Sequence, residues 1–249
     1  MTIRANDFQC KHPAGDSFVL RAFHFSYREQ KLYDNFFLTI PKGQWLGILG
    51  PSGVGKSTLL HGIADFIQCQ HPENSVALLP QHHTLLPWLT VLQNIHLGSL
   101  LRAENMSECS VATQSILQQV GLERHAHAYP RQLSGGQAQR AIIARTLYEK
   151  SDVVLMDEPF ASLDAITKQN IHQVAYHAFH HKTVVLVTHD PLEALRLCDQ
   201  LIVLQGTPVA YETVLTLDSN APRTLHHPEV VLGYETLMEQ LTHAAKNLT

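Results

Sequence analysis

Nine consecutive residues, Gly50-Pro51-Ser52-Gly53-Val54-Gly55-Lys56-Ser57-Thr58, restrict the fold of this 249-residue chain more than any other feature. They fit G-x-x-x-x-G-K-[ST], directly after the apolar run 45–49 and before the helical spacing of Leu59, Leu60 and Ile63. Strand, glycine loop and helix in that order form a phosphate cradle. The glycines let backbone N–H groups turn toward β-phosphate oxygens, and Lys56 reaches the β/γ-phosphates. Ser57 offers a hydroxyl to Mg²⁺ at a helix N-terminus. Average residue usage makes a chance match in a chain this long roughly 1%, so a bound nucleotide is a better account than an accidental glycine turn.

The rest of the chain reads as the fold that carries such a loop. The runs 45–49, 153–156 and 184–187 are short, rich in β-branched residues and not alternating, as in strands buried on both faces of a parallel sheet. The run 201–204 is expected to join them. Ile171, Val174, Ala175 and Ala178 fall at helical spacing between the second and third runs, giving a β-α-β unit. Residues 85–150 show helical patterns and no strand pattern. There Ser110 is placed to cap a helix whose Ile116, Leu117 and Val120 share one face and which Gly121 ends. Alternating stretches at 18–25 and 36–40, punctuated by Gly15 and Pro41, suit an antiparallel sheet ahead of the first core strand.

Composition excludes several functions. Lysine and arginine number 18 against 22 acidic residues, a net charge of −4, so no global basic surface exists to hold a nucleic-acid backbone. No apolar run approaches the roughly 18 residues that span a bilayer. The first eight residues lack the apolar core of a secretory signal, and the expected compartment is the cytosol. Cys10, Cys69, Cys109 and Cys198 form no C-x-x-C pair, so they read as reduced thiols. The 17 histidines cluster at 82–83, 125/127, 177/180/181 and 226–227 without a cysteine or carboxylate at ligand spacing, and are read as solvated faces rather than a metal site.

Three further titratable groups converge on the phosphate edge. Asp157 and Glu158 follow the run 153–156, and His189 follows the run 184–187, so all three leave strands at the end where open α/β sheets bind ligands. Asp157 is suited to hold Mg²⁺ and Glu158 to orient or deprotonate an attacking water, with His189 contacting the γ-phosphate. Ser134-Gly135-Gly136-Gln137 opens a second helix with a capping-box pattern, and its first-turn N–H groups form another anion site. One nucleotide does not need two such sites in one chain. A two-fold dimer gives each nucleotide the loop of one copy and the Ser134 helix end of the other.

Through these residues the chain resembles, over nearly its whole length, the ATP-binding subunit of an ATP-binding cassette (ABC) transporter, with Leu133 to Gln137 similar to the family's signature motif. The resemblance implies a P-loop NTPase fold of the α/β class: a mostly parallel sheet, an amino-terminal antiparallel β subdomain and an inserted helical subdomain. Residues 1–249 then form a single ABC ATPase domain, with 1–84 and 151–220 as the ATP-binding core, 85–150 as the helical signature subdomain and 221–249 as a tail. It further implies that Tyr27 stacks on adenine, that Gln81 serves as the Q-loop glutamine and a metal contact, that Ser162-Leu163-Asp164 lies in the D-loop beside the nucleotide, and that His189 is the switch histidine. ATP and Mg²⁺ are the implied cofactors. The implied partners are a second copy of the chain, transmembrane permease subunits and, indirectly, a solute-binding protein, at the cytoplasmic face of the inner membrane.

Leu86-Pro87-Trp88-Leu89-Thr90-Val91 and the stretch from Asp157 to Asp164 are similar to ATPases of bacterial nitrate, sulfonate, taurine and some thiamine-precursor importers. Leu85, Leu86 and Trp88 are the expected coupling surface. Lys56 and Gln81 stand 81 − 56 = 25 residues apart, closer than the family usually has them, with 71–75 as a shortened connection. The competing reading, a soluble ABC-type ATPase acting on nucleic acid or ribosomes, lacks the long coiled coil or second cassette such proteins carry. A small-molecule kinase leaves the Ser134 helix end and His189 without a role.

Overall fold

The computed structural model describes residues 17–27, 30–81, 85–102 and 109–247. Two long strands, β1 (Ser17–Tyr27) and β2 (Gln30–Pro41), form an antiparallel pair whose apolar residues alternate inward. The chain then enters β3 (Trp45–Leu49), buried at every position, and passes through the glycine loop into α1 (Lys56–Gln70).

From α1 the chain turns through 71–75 directly into β4 (Val76–Leu79). The short connection is anchored on both sides. The Asp152 carboxylate accepts bonds from the Ser75 backbone N–H at 2.9 Å and hydroxyl at 3.0 Å, which hold its pKa below the usual carboxylate value. The His71 ring packs edge-on against Phe18 at 5.1 Å and Phe66 at 5.7 Å. The helical segment follows: α2 (Val91–Ile95), α3 (Leu97–Leu101), α4 (Cys109–Val120) and α5 (Gly135–Tyr148). Residue 110 lies inside the first turn of α4 rather than before it, because the chain is already helical at Cys109. Gly121, at φ +67°, ends that helix as its sequence indicates.

The core resumes with β5 (Val153–Asp157), α6 (Ala165–Phe179), β6 (Thr183–Val187), α7 (Pro191–Leu197), β7 (Gln200–Gln205) and β8 (Ala210–Thr216), and closes on α8 (Pro228–Lys246). The six-stranded sheet has the order β4-β5-β6-β3-β7-β8, parallel except for β8. This is an α/β fold with a mostly parallel sheet, an antiparallel amino-terminal pair and a helical segment.

Both faces of the sheet are covered, which is why its strands carry no polar alternation. Val153, Leu155, Val185 and Val187 join one core with α1 and the β1–β2 pair. Val154, Met156, Val184 and Leu186 join the other with α5, α6, α7 and α8.

Candidate functional site

The glycine loop owes its shape to backbone conformations that other residues rarely adopt. Gly55 caps α1 at φ +107°, and a Cβ there would lie 3.0 Å from Leu32 Cδ2 and 3.1 Å from the Tyr33 hydroxyl. The Tyr33 hydroxyl donates to the Gly55 carbonyl at 3.0 Å, so β2 braces the loop from outside. Burial pushes the Tyr33 phenol far above its ordinary pKa and keeps it a donor. Lys56 is 7% exposed, and its Nζ donates to the carbonyls of Gly50 at 2.8 Å and Pro51 at 3.0 Å. Burial pulls its pKa below the usual lysine value against the opposing fields of Glu158 and Asp157. Ser52, Gly53 and Ser57 are exposed, Pro51 and Thr58 half-buried, and Val54 points into the core.

Strand register then assembles the acidic side. Leu79 pairs with Met156, and Asp157 pairs with Val187, so Gln81, Glu158 and His189, each two residues past one of these partners, emerge side by side. Glu158 Oε2 accepts from Gln81 Nε2 at 3.3 Å and lies 3.1 Å from His189 Nδ1. Glu158 adopts φ +46°, a left-handed conformation that costs a non-glycine residue on the order of 1–3 kcal/mol and is common at functional sites. Its backbone N–H is tied to the Val187 carbonyl at 2.9 Å. The shortened connection therefore does not keep Gln81 from the site: β4 carries it there.

The end of α5, where a second anion site is expected, forms as a complete capping box. Ser134 Oγ accepts from the Gln137 N–H at 3.3 Å, and Gln137 Oε1 accepts from the Ser134 N–H at 2.9 Å. Gly136 has a steric requirement that its motif alone does not reveal. It faces α6, where an added Cβ would stand 2.5 Å from Thr167 Cγ2. Asp164 caps α6 by accepting from Ile166 N at 3.1 Å and Thr167 N at 3.0 Å, and bonds with Thr167 hold its carboxyl below the usual pKa. Among the described residues, no hydrogen bond or ion pair joins Ser134–Gln137 to the glycine loop within the chain. Tyr27 ends β1, 58% exposed, beside the hairpin that leads to Leu32 and Tyr33.

Past Gln81 the segment expected to couple divides by burial. Leu85 is buried, Leu86 half-buried, and Trp88 is 68% exposed. A residue without a sequence signal holds it: Asn94, fully buried, accepts from Leu86 N at 2.7 Å and donates to the carbonyls of Leu86, Leu89 and Thr90 at 3.0–3.2 Å. One amide side chain thus fixes the loop that presents Trp88. Among the described residues no group of three or more histidine, cysteine or acidic side chains suits a metal, and no helix is long and apolar enough to cross a membrane.

Comparison with known proteins gives a consistent result. Residues 33–161 match the family model described as ABC transporter. The chain is 38% identical over 229 residues to an uncharacterized ABC transporter ATP-binding protein of Haemophilus influenzae, covering 87% of this chain and 95% of that one. It is likewise 38% identical to aliphatic sulfonates import ATP-binding proteins of Paracoccus denitrificans (85% of this chain, 88% of the relative) and Delftia acidovorans (89% and 92%). A solved structure described as a dimeric bacterial ABC transporter cassette superposes with a TM-score of 0.66 at 29% identity, over 80% of this chain and 100% of that one.

Proposed function

The chain belongs to the ABC transporter family as an ATP-binding, ATP-hydrolysing cassette, and from that membership we propose that it powers import of a small solute through separate permease subunits. The observation that carries the reading is the set of contacts at the strand ends, where Gln81, Glu158 and His189 meet beside the Lys56 loop. Lys56 gives two of its three protons to loop carbonyls, which leaves the third for a β/γ-phosphate oxygen. Glu158 orients the attacking water and takes its proton, while His189 and Gln81 fix the carboxylate that does so.

The donor set suits Mg²⁺: the hydroxyl of Ser57, the carboxylate of Asp157 and the amide oxygen of Gln81 are hard oxygen ligands. Bound there, Mg²⁺ supplies charge neutralisation across the β- and γ-phosphates. Asp157 lies next to Glu158 at the end of β5, so the metal-holding and water-activating carboxylates come from consecutive residues with different directions.

The site is read as complete only in a homodimer, with Ser134, Gly135, Gly136 and Gln137 of the second copy facing the loop from Gly50 to Thr58. The dimeric cassette to which this chain is similar supports that reading. Tyr27 provides the adenine stack and Asp164 the edge that meets the partner copy. The exposed Trp88, held by Asn94, is the contact for permease subunits at the cytoplasmic face of the inner membrane. A solute-binding protein supplies the cargo, which the sulfonate-importer relatives favour as an aliphatic sulfonate, a class that includes taurine, over nitrate or a thiamine precursor.

The test is reconstitution of the chain in proteoliposomes with permease subunits and a solute-binding protein of the aliphatic-sulfonate type. ATP-dependent uptake of an aliphatic sulfonate, lost in Lys56→Ala, is the expected result. Uptake that survives Lys56→Ala, or movement in the outward direction, overturns the reading.

A further inference from the structure

We infer that Thr188 and Glu193 are positioning residues for His189, which they hold against Glu158 through a buried hydrogen-bonded chain reaching into α6 and the carboxy-terminal segment. The inference rests on the reading of His189 as a member of the hydrolytic site. The His189 side chain is itself 58% exposed. Its neighbours on both sides are fixed. Thr188 is 1% exposed, its N–H donates to the Ile48 carbonyl at 3.2 Å, and its Oγ1 accepts from the Asp190 N–H at 3.1 Å. The Thr188 hydroxyl proton goes to Glu193 Oε2, a carboxylate on α7 that is 3% exposed. One hydroxyl and one carboxylate therefore set the backbone on either side of His189.

The second carboxylate oxygen carries the chain onward. Glu193 Oε1 lies 3.3 Å from Nε2 of His172, a buried residue of α6. His172 Nδ1 lies 3.4 Å from Nη1 of Arg196, which can only donate. Nδ1 is therefore the acceptor and the imidazole proton sits on Nε2, directed at Glu193. The His172 ring thus joins Glu193 to Arg196. Arg196 Nε in turn donates to the Arg223 carbonyl at 2.9 Å, and the Arg223 guanidinium donates to the Leu195 and Cys198 carbonyls at 3.2 and 2.8 Å. Phe160, two residues past Glu158, packs edge-on against His172 at 4.8 Å.

Burying a carboxylate is costly unless its lone pairs are met, and apolar packing of equal volume is often as stable. Here both oxygens are met, one by the turn that carries His189 and the other by the helix that Asp164 caps. Lys168 of α6 adds a second tie, with its Nζ 3.2 Å from the Asp190 carboxylate. The arrangement suits holding a short turn in register, and a displacement of about 1 Å at a reacting group can cost on the order of 10²-fold in rate.

The experiment measures steady-state ATPase kinetics of the full chain for Thr188→Val, Thr188→Ser and Glu193→Gln, each with His189 intact and in a His189→Ala background. Thr188→Val should lower kcat by about 10-fold with KM changed less than about two-fold, and Thr188→Ser should stay within about two-fold of the parent. Glu193→Gln keeps the volume but offers one acceptor oxygen where Thr188 and His172 both donate, and should lower kcat similarly. In the His189→Ala background both effects should shrink below about two-fold, because the residue they act through is gone. Equal losses with and without His189, or no loss from either variant, overturn the inference. If Thr188→Val melts below the assay temperature, the Glu193→Gln pair is judged by the same criterion. An unchanged kcat in His189→Ala alone overturns the reading of His189 itself, an outcome distinct from the other two.

Discussion

Nδ1 of His189 lies 3.1 Å from Oε2 of Glu158, and the same oxygen accepts from Gln81 Nε2 at 3.3 Å. A single carboxylate oxygen is thus shared by the residue that follows β4 and the residue that follows β6. Movement of either segment changes the hydrogen bonding of the group proposed to activate water, which gives the coupling loop beyond Gln81 a direct line to the chemistry.

Tyr27→Ala should weaken nucleotide binding by about 1–3 kcal/mol, the range for a base stacked on an aromatic ring, while turnover at saturating ATP persists. Titration calorimetry with a slowly hydrolysed ATP analogue measures it. Unchanged affinity assigns Tyr27 to the hairpin alone.

Gly136→Ala tests whether the signature helix is seated by α6. Alanine ordinarily favours a helix interior by about 1 kcal/mol over glycine. Here its Cβ would meet Thr167 Cγ2 at 2.5 Å, an overpacking worth about 1–3 kcal/mol. The variant should lose both stability and ATPase activity, and adding Thr167→Ser, which removes that methyl while keeping the hydroxyl, should restore both. A Gly136→Ala protein that melts higher than the parent contradicts the steric account.

His96 should make the helical segment acid-sensitive. It is 6% exposed, 2.6 Å from Thr113 Oγ1, and packs on Tyr148 at 4.9 Å; burial pulls its pKa below the ordinary histidine value. With the folded pKa depressed, the unfolded chain binds the proton first, so this stability is present above about pH 6.5 and is lost as pH falls through the folded value. The fall in melting temperature between pH 7.5 and pH 5.5 should be smaller in His96→Gln than in the parent. Equal falls remove His96 as the source.

Trp88→Ala should reduce permease association or transport more than it reduces the isolated chain's ATPase activity, since the ring is 68% exposed on a loop whose backbone Asn94 ties at Leu86, Leu89 and Thr90. Asn94→Ala should give the same coupling defect together with lower stability, because it removes the acceptor of the Leu86 N–H and the side-chain donor to the Leu89 carbonyl. Equal losses of transport and ATPase activity in Trp88→Ala count against a docking role.

The sequence made the central strands and the Lys56 loop readable because each carries a local signature: unbroken apolar runs for strands covered on both faces, and fixed glycine spacing for the loop. β4 and α8 are among the elements that escaped it. β4 has four residues, Val-Ala-Leu-Leu, too few to show a period; its pairing with β5 alone makes it a strand and delivers Gln81. α8 was legible only as a likeness in the tail, although its buried Val230, Gly233, Leu237 and Ala244 recur at helical spacing. Gln81, Glu158 and His189 were separately identifiable, but their sharing of one oxygen depends on strand register, which no local pattern encodes. Asn94, Tyr33 and Glu193 lie outside the motifs because their partners are backbone or side-chain groups distant in the fold.

The central claim is that Glu158 drives hydrolysis at a site shared by two copies, and size-exclusion chromatography of Glu158→Gln with Mg²⁺ and ATP tests it most directly. The substitution keeps shape and removes the charge that accepts a proton, so hydrolysis should fall by roughly 10² to 10⁴ while ATP binding survives. An ATP-dependent dimer should accumulate, and adding Ser134→Arg, whose bulk obstructs the end of α5, should abolish it. A Glu158→Gln protein that hydrolyses ATP at the parental rate, or stays monomeric with ATP, contradicts the account.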